Sequence, residues 1–442
     1  MVKAVANCIA AAFNFLLMRL NLFIFLTAIV VCAHGQSLLN YYIKQAKENS
    51  PLVADNINQS KANKLEVERL KAFYTKPQIG VVANYVFSPI IATDNNKTNF
   101  QPNAENANNY YGYDLAYSNG GQYQAMLNVT QPLFNGHRYK TASEQLNVTA
   151  RINENNAKLS EHDIEKIVTD QYILCLQDLK QTAYAEQMIK LLTEQKEMLR
   201  KLVENSIYKQ SDLSLLNIEY SNFLTQQTTF QANYRRDLMD LNILSGIADT
   251  TIIQIEPLTI SLNHSPANSN FLEKYRLDSL NLLAQQKAFE LKYKPQLNFF
   301  ANAGLNAVYA PTIPNRFGIS AGLSFTYNFF DGNQKAINKN KIQTLEKSVS
   351  IYKSNFITQN TVRKSKILNE LQSYTDRIAI AEQQLKDYEQ VLNSYKKEIL
   401  SGQLSIINYT TVLKNMAITQ RDLALLYSQQ QILINAYNYW NW

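Results

Sequence analysis

Between residues 79 and 87 an apolar residue falls on every second position: Ile79, Val81, Ala83, Tyr85 and Phe87. That period-2 alternation predicts a strand with one apolar face. It returns with Tyr123, Ala125, Leu127, Val129, Gln131 and Leu133 on one face, against Gln122, Gln124, Asn128 and Thr130. Two more copies follow. Leu297, Phe299, Ala301, Ala303, Leu305, Ala307 and Tyr309 alternate with Asn298, Asn302 and Asn306, and Phe317, Ile319, Ala321, Leu323, Phe325, Tyr327 and Phe329 alternate with Gly318, Ser320, Gly322, Ser324 and Thr326. The predicted strands are at about 78–90, 120–134, 296–309 and 317–330.

Elsewhere the period is helical. Neither glycine nor proline occurs from His137 to Ser245, and Ile164, Ile167, Val168, Tyr172, Leu176 and Leu179 recur at three-and-four spacing. At 1.5 Å per residue, a helix from His137 to Asn205 reaches about 100 Å. The pattern loosens at Gln210-Ser211-Asp212, which predicts a turn and cap at the tip of a helical hairpin. Further helices are expected from Leu38 to Phe73, broken at Asn49-Ser50-Pro51, and from about Ser269 to Tyr293. A loop rich in Asn and Tyr is expected from about Ser88 to Gly121.

The order is stated twice. Lys76-Pro77-Gln78 and Lys294-Pro295-Gln296 lead into strands, and Leu133-Phe134-Asn135-Gly136 and Phe329-Phe330-Asp331-Gly332 lead out of them into long helices. Asn135, Gly136, Asp331 and Gly332 are the candidate strand-to-helix turns. Leu213-Ser214-Leu215-Leu216-Asn217 is echoed by Leu404-Ser405-Ile406-Ile407-Asn408. Two structural repeats are expected: 36–250, with the hairpin 137–245, and 269–442, with the hairpin 333–441, joined by an irregular connection 251–268.

Residues 1–35 read as a signal peptide: Leu20 to Val31 forms a short apolar core behind Arg19, and Ala33-His34-Gly35 supplies small residues before Gln36. Met1 and Met18 are both candidate starts, and Cys32 is a candidate lipidation site. Loss of the signal leaves Cys175 as the single cysteine, so stability comes from packing rather than an internal disulfide. The 43 basic and 36 acidic residues give a net charge of +7, interspersed without basic blocks, which offers nothing to nucleic acid. His137, His162 and His264 stand apart, without Cys or carboxylate clusters at metal-ligand spacing, so no catalytic or metal site and no cofactor are expected. His162, beside Asp163 on a charged helix face, reads as solvated surface, and Cys175 as core filler.

Four strands of about a dozen residues each span about 40 Å, enough to cross a bilayer. One apolar and one polar face suit strands between lipid and a watery lumen. A soluble sheet packed on one side is the plainer alternative. Four strands cannot close a barrel, and open edges in lipid leave backbone groups unpaired, so several chains must contribute. Three copies of four strands would give twelve. The long helices must bury their stripes against partners, as a coiled cylinder coaxial with the barrel or as an elongated coiled-coil structural or adhesion protein of the envelope without a pore.

With this ordered set, the sequence resembles the TolC family of outer membrane efflux proteins. The resemblance runs over the mature chain, from Ala46-Lys47-Glu48-Asn49-Ser50-Pro51 through the Lys-Pro-Gln and Phe-Asn-Gly or Phe-Asp-Gly corners to the doubled tip segments. It implies a mixed α and β membrane protein: a homotrimer whose β-barrel, four strands per protomer, lies in outer membrane lipid and continues into a periplasmic α-helical barrel. It further implies a passive exit duct for efflux or type I secretion, working with a periplasmic adaptor and an inner-membrane pump. Cargo (drug, metal ion or protein) stays open. Family members carry Gly-Leu-x-Ser/Thr-x-x-Asp at the periplasmic tip. Gly402-Gln403-Leu404-Ser405-Ile406-Ile407-Asn408 is close to that pattern, and the segment ending at Asn217 is a weaker copy. Asn at both Asp positions removes the acidic field that would favour cations. Asn217 and Asn408 either cap the returning helices or line the aperture; Leu213, Ser214, Leu404 and Ser405 either face an adaptor or pack the tip. Trp440 and Trp442 are expected in helix-end packing or a short tail.

Overall fold

The computed structural model describes residues 38–104, 106–113, 121–263 and 269–442. The expected signal peptide with Met18 and Cys32, residue His264 and the end of the 251–268 connection lie outside them. The chain divides into two compact units: one comprises Met1–Asp55, Asn156–Phe271 and Asn355–Trp442, the other Asn56–Asn155 and Leu272–Ser354.

The second unit is built on a four-stranded antiparallel sheet. Its strands are β1 (Gln78–Phe87), β5 (Gly121–Leu133), β6 (Gln296–Ala307) and β7 (Phe317–Thr326), in the order β1-β5-β6-β7. Each lies where the alternation predicts it but ends earlier: β1 stops at Phe87, β6 at Ala307, and β7 at Thr326 although alternation continues to Phe329. Periodicity describes side chains, whereas a strand lasts only while its neighbour supplies hydrogen bonds, and β6 begins at Gln296, opposite Thr326.

The expected Asn/Tyr-rich loop contains a sheet of its own. Strands β2 (Ile90–Ala92), β3 (Asn99–Gln101) and β4 (Tyr110–Tyr111) pair in the order β3-β2-β4. Asp94 braces it, accepting from the backbone N–H groups of Asn108 and Asn109 at 2.8 and 2.9 Å.

Helical segments complete this unit. They come from α2 (Pro51–Thr75), the start of α3 (Gly136–Glu204), α5 (Leu272–Glu290) and the start of α6 (Gln334–Leu400). Glu154 on α3 joins Lys64 and Ser60 on α2 at 2.6 and 3.0 Å, and Lys287 on α5 reaches Glu144 on α3 at 2.9 Å. Such exposed ion pairs contribute little each, on the order of 1 kcal/mol or less. They fix orientation more than stability.

The first unit is helical. It holds α1 (Leu38–Asn49), most of α3 and α6, and the returning helices α4 (Gln210–Ser245) and α7 (Ile406–Trp440). The break at Asn49-Ser50-Pro51 ends α1, since proline tolerates only the first turn of the next helix. α1 buries Leu39, Tyr42 and Ala46, one stripe at helical spacing, among Val168, Tyr172, Cys175, Tyr234, Leu238, Leu241 and Ile255. Tyr172 and Tyr234 donate their hydroxyl protons to the carbonyls of Glu256 and Ile253 at 2.9 and 2.5 Å, which straps down the connection after α4. At the end of α4, Gly246 adopts φ +64°, and the Asn49 amide donates to the Ser245 carbonyl at 3.0 Å.

His162 corrects the surface reading. Its ring stacks between Tyr439 and Trp442, with centroids at 4.7 and 4.2 Å, and Nε2 lies 3.0 Å from the Tyr439 carbonyl. Phe271 packs edge-on against the same group, so Trp442 is tied into the helical unit.

Candidate functional site

The sheet sorts its side chains by register. Val81, Leu127, Ala303 and Ile319 form one cross-strand row; Ile79, Val129, Ala301 and Ala321 form the row two residues along; Ala83, Ala125, Leu305 and Phe317 form the third. Because register is kept across four strands, the predicted apolar positions that lie within the strands land on one face. On the outer strands that face is bare, with Val81 74% exposed, Ile319 79% and Phe325 68%; on the inner strands most of it is half-buried, and Ala307 is buried. A soluble domain rarely leaves so continuous an apolar face uncovered.

The opposite face is mostly polar or small, with Val82, Val86, Met126, Pro132 and Phe300 the exceptions. Gly80, Asn128, Asn302 and Ser320 share one row, and Asn84, Gln124 and Asn306 another. Asn84 donates to Gln124 at 3.1 Å, and Ser320 bonds to Asn302. At Gly304 a side chain has no room, since a Cβ would fall 2.1 Å from the Ala125 carbonyl oxygen. The outer strands β1 and β7 each pair on one side only, which leaves two open backbone edges.

The strand-to-helix corners differ from each other. Gly136 is the first residue of α3 and has open space around it, and the left-handed residue of that corner is Phe134, at φ +56°. Asn135 is buried and its carbonyl accepts from Tyr139 N–H at 2.9 Å. In the second corner Gly332 and Asn333 take φ +66° and +69°, and Asp331 accepts from Lys335 N–H at 3.0 Å and bonds to the Tyr293 hydroxyl.

The two hairpin tips close by one motif. At the end of α3, Ile207 N–H donates to the Leu202 carbonyl and Ser206 N–H to that of Val203, both at 2.9 Å, with Ser206 at φ +61°. At the end of α6, Gln403 N–H donates to Glu398 and Gly402 N–H to Ile399, both at 3.0 Å, with Gly402 at φ +73°. Both are Schellman closures, in which a left-handed residue lets the last carbonyls be satisfied. The next helix starts three residues later in each case, from Lys209 and from Ser405. Asp212 accepts from Lys209 N–H at 3.0 Å, and the Ser405 hydroxyl accepts from Ile407 N–H at 3.2 Å.

This geometry revises the predicted tip. The first turn covers residues 205–209, so Gln210-Ser211-Asp212 is already helix. The doubled segments do not occupy equivalent places: Leu213 to Asn217 lies inside α4, whereas Leu404 and Ser405 form the second turn itself. Leu213 packs against the buried tip cluster and Ser214 hydrogen-bonds the Gln210 carbonyl at 3.1 Å. Leu404 is buried in that cluster with Leu192, Leu199, Leu216, Ile399 and Ile406. Neither Asn caps through its side chain: Asn217 sits mid-helix with its amide oxygen buried and unpartnered, and Asn408 is exposed two residues after Ile406. The equivalent pairs are Ser206 with Gly402 and Tyr208 with Leu404. Tyr208 donates its hydroxyl proton to the Leu404 carbonyl at 2.7 Å, and Ile207 packs at Gly402. Sequence reasoning passed over Ser206 and Tyr208; Asp212, at the third position after Lys209, was the available signal.

Among the described residues no three His, Cys, Asp or Glu side chains are grouped to hold a metal, and no helix is long and apolar enough to cross a membrane. No protein-family model and no curated protein matches the sequence. Solved structures match well. The CusC transmembrane channel superposes with a TM-score of 0.70 at 12% identity over 91% of each chain. The CmeC outer membrane channel of Campylobacter jejuni gives 0.65 at 11% identity, over 91% of this chain and 85% of that one. The outer membrane protein VceC of Vibrio cholerae gives 0.66 at 15% identity, over 90% and 96%. The chain therefore has the fold of the TolC-family outer membrane channels.

Proposed function

We propose that this protein is an outer membrane channel of an efflux system, a passive exit duct whose transport is driven by partners. The observation that carries the reading is the sheet: four antiparallel strands, one largely apolar face that is open on the outer strands, an opposite face mostly of Asn, Gln, Ser, Thr and Gly, and an open edge on each side. In lipid each unpaired backbone group would cost on the order of several kcal/mol, so β7 of one copy must pair with β1 of the next until the barrel closes. Three copies of four strands make a twelve-stranded barrel with the apolar face towards lipid and the polar face towards water.

The fold's neighbours are channels, which supports this assembly and an outer membrane location, with the helical part in the periplasm. On the same reading the tip residues Tyr208, Leu404 and Gly402 belong to the gate, and a periplasmic adaptor and inner-membrane pump complete the machine. An elongated envelope protein without a pore would need another cover for the apolar face. Purified protein incorporated into planar bilayers tests the choice: discrete conductance steps are expected, and a stable monomer without conductance contradicts the channel.

A further inference from the structure

Asp178 on α3 and Asp237 on α4 lie inside the helical unit, 4% and 8% exposed. The two helices touch here. Gln171 donates from Nε2 to the Asp237 backbone carbonyl at 2.9 Å, and Arg236, largely exposed, donates from Nε to Asp237 Oδ1 at 2.8 Å. Asp178 Oδ2 is closed off from solvent and receives no donor from the surrounding protein, although the Asp237 carboxyl is within hydrogen-bonding reach. One turn earlier on α3, Cys175 is fully buried among Tyr42, Tyr172, Tyr234 and Leu238.

Ionised carboxylates only accept hydrogen bonds, so two facing each other in a dry interior need a proton between them. We propose that Asp178 and Asp237 share one proton, a carboxyl–carboxylate clamp between α3 and α4 that holds in mildly acidic surroundings and loosens when the proton leaves. Asp178 donates from its protonated oxygen to Asp237, while Oδ1 of Asp237 stays with Arg236. Loss of the proton leaves two buried negative charges opposed by one surface guanidinium.

The groups acting on Asp178 are Asp237 and Arg236, both from α4; Cys175 on its own helix lies near both Asp residues and Asp240, and α1 brings Tyr42 against Cys175. Burial keeps the thiol and the phenol neutral by raising both. For Asp178, burial first, then the Asp237 charge and hydrogen bond, lifts the carboxyl to about 7 against the lowering pull of Arg236. The proton belongs to the pair rather than to either residue. Since the unfolded carboxyl titrates near about 4, the folded chain holds the extra proton between about pH 4 and 7, and stability falls as pH rises through that window.

The clamp concerns the folded chain and does not depend on the channel reading. Its test is thermal unfolding of the purified full chain in detergent from about pH 5 to about pH 8.5, for the parent and for Asp178→Asn, whose amide donates without titrating. The expected result is equal midpoints at the acid end and a variant midpoint about 5 °C higher at the alkaline end. His162, whose imidazole is pushed down by burial, gives both chains the same opposite slope and cancels in the comparison. Parallel profiles, or a uniform loss at every pH, overturn the clamp. If Asp178→Asn does not fold, infrared titration of the parent decides: a buried protonated carboxyl that ionises near neutrality supports the clamp, and its absence overturns it.

Discussion

The Tyr208 hydroxyl donates to the Leu404 carbonyl at 2.7 Å and ties the turn of one helical hairpin to the turn of the other. The two residues occupy the same place in their turns, two after the left-handed position and one before the helix cap. Removing the hydroxyl in Tyr208→Phe leaves the ring and its packing. A single neutral hydrogen bond contributes about 0.5–1.5 kcal/mol net, so the open fraction of a gate held by it should rise about 2- to 10-fold. Single-channel recording of parent and variant checks this, and an unchanged open probability places the gate elsewhere.

The two left-handed turn residues should respond in opposite directions. Ser206 holds φ +61° with a side chain, so Ser206→Gly relieves strain and should stabilise by up to about 1 kcal/mol. Gly402 holds φ +73°, and a Cβ there meets Ile207 Cγ2 at 2.9 Å, so Gly402→Ala should cost about 1 kcal/mol or more. Denaturant midpoints of the two variants read both signs in one experiment.

His162 predicts an acid sensitivity. Burial lowers its pKa from the usual imidazole value, against the raising effect of the Tyr439 carbonyl and nearby Glu165 and Asp163. A depressed folded pKa means that the neutral ring's contribution is complete above about pH 6.5 and is lost as pH falls through the folded value. His162→Phe keeps an aromatic between Tyr439 and Trp442 and should flatten that loss. Unfolding midpoints below neutrality check it.

The two faces of β7 should tolerate charge differently. Ile319 stands in the apolar row with Val81, Leu127 and Ala303, while its neighbour Ser320 stands in the polar row with Asn128 and Asn302. An Arg on the lipid face costs about 2–4 kcal/mol near the bilayer middle, so Ile319→Arg should cut membrane-assembled protein several-fold while Ser320→Arg spares it. The yield of detergent-resistant oligomer in membrane fractions separates them.

The strands were legible because one face is apolar at nearly every second position, Gln131 excepted: Ile79, Val129, Ala301 and Ala321 each announce a period of two, and register then places them in one row. The small sheet at Ile90–Ala92 was not legible, since strands of two or three residues show no period and are held by Asp94 reaching Asn108 and Asn109. The second tip was visible through Gly402, a residue that accepts a left-handed backbone. The first was misplaced because Ser206 takes the same backbone without advertising it, and the repeated Leu-Ser segment drew the boundary into α4. His162 looked like surface because its stacking partners, Tyr439 and Trp442, are distant in the chain.

On the channel reading, copies of this chain join edge to edge, β7 of one on β1 of the next. The direct measurement is disulfide trapping between a cysteine at Val82 in β1 and cysteines scanned one at a time through Phe317–Thr326 in β7. The parent chain serves as control; its Cys175 is buried and its thiol held neutral by burial. At matching register, denaturing gels should show covalent dimer and trimer and nothing larger. Monomer at every position, or a ladder that runs on past trimer, would contradict it.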